Sequence, residues 1–156
     1  MRKIDELLLK YGESHQNKTN KLIHWLCVPA IFFSIVGLVW SIPNGPLNYF
    51  NIPLLNWATI SIFLVLIYYV SISISLSIGM ALFTSTCIYL SSLIQEFFPG
   101  KLWIFSLVIF VIAWILQFVG HKIEGKKPSF LEDIQFLLIG PAWLMHFIYK
   151  KIKINY

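Results

Sequence analysis

Charged residues are scarce in this chain: only 12% of its 156 residues are Asp, Glu, Lys or Arg, and 58% are hydrophobic. An ordinary soluble domain carries about 25% charged and roughly 45–50% apolar residues, so a soluble globular domain is excluded and a single membrane-embedded domain over residues 1–156 is expected. Cysteine is nearly absent. Cys27 and Cys87 both fall inside apolar runs, where they behave as small buried hydrophobes and supply neither a disulfide framework nor a CxxC metal spacing. No Walker loop, GxSxG elbow, HExxH pair or dinucleotide fingerprint is present, and no internal repeat or low-complexity segment is evident. The first apolar run follows about twenty polar and amphipathic residues without a small-residue cleavage site behind it, so no removable signal peptide is expected. The formal charge of +5 comes from short basic clusters flanking apolar runs. Their expected partners are anionic lipid head groups, not nucleic acid.

What is present is a series of apolar segments. Ile4, Leu7, Leu8 and Tyr11 recur at helical spacing among charged residues, which predicts a short amphipathic helix over 2–11 lying on the membrane surface. Four spans follow, at about 22–40, 57–77, 80–93 and 102–120, lengths set by the ~30 Å of hydrocarbon to be crossed. Residues 41–56 hold three prolines, a glycine and no charge and read as a loop on one face of the bilayer. The second and third spans divide near Gly79. A last apolar segment over 134–149, with Pro141 inside it, precedes the basic residues Lys150, Lys151 and Lys153. Placing the N-terminus in the cytoplasm puts Arg2, Lys3, Lys10, Lys18, Lys21, Lys122, Lys126 and Lys127 inside and only Lys101 outside, as the positive-inside rule prefers. The last segment is then an interfacial or re-entrant helix, because a crossing would export the basic tail. The expected fold is an all-α integral membrane bundle of about four transmembrane helices, flanked by an N-terminal amphipathic and a C-terminal re-entrant helix.

All four histidines (His15, His24, His121 and His146) stand where apolar sequence meets polar sequence, and this topology brings them to one depth on the cytoplasmic side. His15 and His24 are nine residues apart and would face opposite ways on one continuous helix; a break near 17–20 lets them converge. Neutral imidazoles ligate zinc, copper, iron and nickel, and facing helices of a bundle can fix such a site. Taken singly, an interfacial histidine is an amphipathic anchor, as Trp25, Trp103, Trp114 and Trp143 read as belt or packing residues. Glu13, Glu124, Glu132 and Asp133 are candidate ligands or partners of ligands, with Glu132 and Asp133 better read as helix N-terminal charge. Charged or broken helices deep in the spans are lacking, which argues against an ion transporter. Two other readings stay open: a b-type haem protein with two axial histidines, and a non-enzymatic membrane scaffold or lipid-handling module.

The pattern Tyr11, His15, Asn20, His24, Pro29, followed by the run from Trp114 through Gln117-Phe118-Val119-Gly120-His121 and by Glu124, Pro128, Asp133 and Gly140-Pro141, resembles the small membrane 2-hydroxy fatty acid dioxygenases. The resemblance spans almost the whole chain and is most specific in the Gln117–Pro128 block. It implies an Fe(II)-dependent reaction with O₂ in which a 2-hydroxy fatty acid loses its carboxyl carbon and leaves an acid one carbon shorter. His15, His24 and His121 match the family's histidine positions and are implied to hold Fe2+, with His146 a candidate fourth ligand. Lys122, Lys126 and Lys127 are candidates to attract the substrate carboxylate, and Tyr11, Asn20, Gln117 and Glu124 are candidate supporting residues. Fungal members act in the endoplasmic reticulum; a short lysine- and isoleucine-rich chain without a retention signal suits a bacterial inner membrane. Oligomeric state is not legible.

Overall fold

The computed structural model describes residues 2–52, 54–125 and 136–154. Among these the chain is helical and contains no strand. Helix α1 is Lys3–Gly12, α2 is Lys18–Trp40, α3 is Trp57–Ile72, α4 is Ile74–Phe97, α5 is Leu102–Glu124 and α6 is Ile139–Lys151, with a short 3₁₀ helix at Gly45–Phe50 between α2 and α3. Helices α2, α4 and α5 are each long and apolar enough to cross a membrane. The apolar α3 is shorter, 16 residues or about 24 Å.

The centre of the bundle is the antiparallel packing of α2 on α5, which runs along most of both helices. Glycines at either end of this seam permit it. A Cβ on Gly37 would collide with the Ser106 side chain, and one on Gly120 would lie 2.5 Å from Oδ1 of Asn20. In a bilayer, where apolar side chains gain little by leaving lipid, such small-residue approaches are a main source of helix association. The outward face of α5 remains apolar and exposed, with Leu107, Val108, Val111, Ile112 and Ile115 along it, as lipid contact requires.

Helices α3 and α4 fold back on each other and bring Ala58 and Ile62 beside Cys87, together with Phe32 and Val36 of α2. The break falls at Ser73, not near Gly79 as the sequence suggested. Ser73 is extended (φ −165°, ψ 114°), and its hydroxyl accepts from the Leu76 N–H at 3.2 Å to start α4. A serine that caps the next helix ends α3 more effectively than a glycine whose N–H α4 can still use. Gly79 serves close approach instead: a Cβ there would stand 2.8 Å from Sδ of Met145 and 2.9 Å from Oη of Tyr149.

Helix α6 lies against α1, α2 and α4. The Tyr149 hydroxyl donates to the carbonyl of Ser75 (2.8 Å) and accepts from the N–H of Gly79 (3.1 Å), so it sits between the two groups that would close one turn of α4. The Tyr69 hydroxyl donates to the carbonyl of Leu138 just ahead of α6. The amphipathic face of α1 is covered by protein, where the sequence suggested a helix resting on lipid: Ile4, Leu8 and Tyr11 are buried with Ile139, Ala142, Trp143 and Leu144 of α6. The apolar helix α6 supplies a nearer apolar surface than the bilayer does. Helix α5 also runs past Gly120 to Glu124 and ends at Gly125, whose φ of 74° is the left-handed conformation that suits glycine.

The Tyr149 contact can be tested by Tyr149→Phe. Ser75 and Gly79 can still close their own turn, so the loss is that of one bridging hydroxyl, about 1 kcal/mol. The thermal midpoint in detergent should fall by a few degrees while helical content is unchanged.

Candidate metal centre

The site is assembled at the end of the bundle where α2 begins and α5 ends. Tyr11 N-terminal to the turn, Asn17 within it and Glu124 across from it settle its local structure. Helix α1 stops at Gly12, and Asn17 opens α2 by accepting from the N–H groups of Thr19 (2.8 Å) and Asn20 (3.4 Å), the usual task of an asparagine N-cap. His15 is thereby carried on the turn between two helices, His24 sits nearly two turns inside α2, and His121 lies one turn before the end of α5. The break expected between His15 and His24 is present, and the two rings meet edge to face with centroids 4.2 Å apart.

His121 completes the group, 5.1 Å from the His24 ring and 5.8 Å from that of His15, with interplanar angles of 86° and 64°. All three residues are buried. One ligand atom from each lies within 4.8 Å of the others, a grouping that could hold one metal ion. Two rings are turned by backbone. Nδ1 of His15 is 2.6 Å from the carbonyl of Tyr11, and Nδ1 of His24 is 2.9 Å from that of Asn20. A carbonyl only accepts, so Nδ1 of each ring is the donor and Nε2 is left as the basic nitrogen that can bind an ion. This fixing of tautomer by a backbone acceptor is the second layer that histidine metal sites commonly carry. The donor set therefore fits a divalent transition ion with open positions for other ligands. It does not fit a haem, because the macrocycle would have to lie between two axial rings that here touch each other and a third.

The supporting candidates fall around this group in different ways. Tyr11 stacks on His15, ring centroids 4.3 Å apart and 13° from parallel. Asn20 is fully buried, and besides holding His24 it donates from Nδ2 to Glu124 at 2.9 Å. Gln117 is buried one turn before His121 on α5. Glu124, at the end of that helix, accepts from the backbone N–H of Gln16 at 2.7 Å and of Asn17 at 3.0 Å.

His146 is not part of the group. It is half-buried on α6 beside Phe147, and burial followed by the positive charge of Lys150 lowers its pKa. The residue that α6 turns toward the cluster is Trp143, 5.4 Å from the His15 ring and 5.3 Å from that of Tyr11. Nothing in its sequence context separates this tryptophan from those of the lipid belt; only the docking of α6 does. Lys122 is exposed, one residue and about 100° around α5 from His121. Lys126 and Lys127, like Glu132 and Asp133, lie outside the described residues.

The family model described as 2-hydroxy-palmitic acid dioxygenase Mpo1-like matches residues 1–152. The 2-hydroxy-palmitic acid dioxygenase MPO1 of Saccharomyces cerevisiae is 29% identical over 145 residues, which cover 90% of this chain and 76% of the yeast protein. No solved structure matches the chain.

Elemental analysis of protein purified anaerobically without chelator should give about one transition-metal ion per chain if the three imidazoles act together. His15→Ala, His24→Ala and His121→Ala should each lose it, whereas His146→Ala should keep it. Stoichiometric metal in all three cluster variants would refute the assignment.

Proposed function

The chain belongs to the Mpo1-like family of 2-hydroxy-palmitic acid dioxygenases, and from that premise we propose that it is a membrane-bound Fe(II)-dependent dioxygenase that shortens 2-hydroxy fatty acids by one carbon. The observation that carries the proposal is the buried meeting of His15, His24 and His121, drawn from a turn and two helices far apart in the chain. Three neutral nitrogen ligands leave open positions on an iron ion, which when bound would supply a template for substrate and O₂ and a source of electrons. The overall change balances with O₂ as the sole oxidant: R–CH(OH)–COOH and O₂ give R–COOH, CO₂ and H₂O. The bond between the carboxyl carbon and the hydroxyl-bearing carbon breaks, and the latter becomes the new carboxyl carbon.

The protein's own residues have separable tasks in this reading. His15, His24 and His121 hold the metal, and the carbonyls of Tyr11 and Asn20 keep Nε2 of the first two rings unprotonated. Tyr11 and Trp143 wall the His15 side with aromatic surface, which excludes water from the reacting carbon. The site lies at the bundle end that carries Lys18, Lys21 and Lys122, so a carboxylate can stay at the polar boundary while its acyl chain extends among apolar helices. This polar end faces the cytoplasm if the positive-inside rule holds. Lys122, with Lys126 and Lys127, draws the substrate carboxylate to that boundary.

Oxygen uptake by the iron-loaded protein should depend on a 2-hydroxy fatty acid and yield one CO₂ and one shortened acid for each O₂, with no uptake on a 3-hydroxy or unsubstituted acid. Lys122→Ala should raise KM severalfold with kcat little changed, since a charge that only attracts substrate contributes uniform binding. Uptake independent of the 2-hydroxyl would overturn the proposed reaction.

A further inference from the structure

We propose that Glu124 is a positioning residue for the histidine cluster: its carboxylate splints the turn between α1 and α2 onto the end of α5 and so sets His15 opposite His121. The inference rests on the reading of the three histidines as a metal centre. His24 and His121 belong to helices that pack directly on each other, so their spacing follows from the seam. His15 stands outside that seam, on the turn between the helices, and its ring and N–H bond the carbonyls of Tyr11 and Gly12, which tie it to α1 and not to α5.

Glu124 ties the turn to α5. Oε1 accepts from the N–H of Gln16 at 2.7 Å, Oε2 accepts from the N–H of Asn17 at 3.0 Å and from Nδ2 of Asn20 at 2.9 Å. The donors come from the five residues after His15, and they are more than a hundred positions away in sequence from their acceptor. The two backbone donors precede the first turn of α2, where helical carbonyls cannot reach them. Asn17 meanwhile caps the next N–H groups with its own side chain, so the start of α2 is satisfied jointly from its own chain and from α5. Hydrogen bonds to a carboxylate are among the stronger ones available, and a negative charge at a helix N-terminus gains from the dipole.

His121 and Glu124 are three residues apart at the end of one helix, and Gly125 ends that helix immediately afterwards. The same helical turn thus presents a metal ligand and the group that holds the turn bearing another ligand. An ion bound by all three imidazoles and the Glu124 splint would close the same gap between the α1–α2 turn and α5. Each therefore favours the other, as linkage requires.

The test uses full-length protein in nanodiscs. Glu124→Gln keeps the size but turns one oxygen into an NH₂ facing an N–H donor. Cobalt(II) affinity, measured by chelator competition, should fall about 10–100-fold, and hydrogen exchange over residues 13–20 of the metal-free protein should quicken while the middle of α5 exchanges as before. Glu124→Asp, which keeps the charge on a shorter arm, should give an intermediate loss and guards against a Gln variant that does not fold. Wild-type affinity and exchange in a folded Asp or Gln variant would overturn the proposal. If wild type itself takes up no metal, the metal-centre reading fails, and the exchange measurement alone decides whether Glu124 holds the turn.

Discussion

The close approach of α2 to α5 is the constraint on which the remaining structure depends. It brings Gly37 against Ser106 at one end and Asn20 against Gly120 at the other, and a side chain at either glycine would force the facing Ser106 or Asn20 to move. Because the helices are antiparallel, the start of α2 and the end of α5 coincide, and with them His24 and His121. Any widening of this seam acts on the histidine cluster directly. In a soluble bundle an apolar stripe could drive such packing; here both helices are apolar on their outer faces as well, and van der Waals fit decides the pairing.

Around this pair the chain builds a second, smaller assembly at the same end. Helix α6 docks through tyrosine hydroxyls onto the start of α4 and the end of α3, and α1 closes over α6 with Ile4, Leu8 and Tyr11. Tyr11 links the two halves: it is part of the core beneath α6, it stacks on His15, and its carbonyl turns the His15 ring. The amphipathic N-terminal helix thus has a structural purpose beyond contact with lipid. The turn that follows it brings His15 to His24 and His121.

On the proposed function, the position of the cluster lets a polar redox reaction and an apolar substrate share one protein. The imidazoles are buried, yet they lie within two turns of helix ends flanked by lysines, which on the proposed topology puts the boundary between hydrocarbon and water close to the site. A 2-hydroxy fatty acid has the same division between head and tail. On that reading, charge around the site and apolar surface along the helices match the two halves of that molecule.

Much of this was legible in the amino-acid order. The scarcity of charge and the apolar runs determined a helical membrane protein, and the placement of every histidine at an apolar boundary, with turn-forming Asn17 and Asn20 between the first two, pointed to a common site. The pattern around Gln117–Pro128 pointed to the family. Span boundaries were less legible where serines and Gly79 stood close together, since capping at Ser73 competes with a glycine that merely packs. Only the tertiary structure separated His146 from the cluster and put Trp143 beside it, because that depends on the rotation of α6 set by Tyr69 and Tyr149. Likewise, composition and spacing could mark Glu124 as a neighbour of His121, but its partners at Gln16, Asn17 and Asn20 exist only once α5 has folded back beside α2. Local sequence determines which groups can bond; which of them meet across a hundred residues is decided by packing.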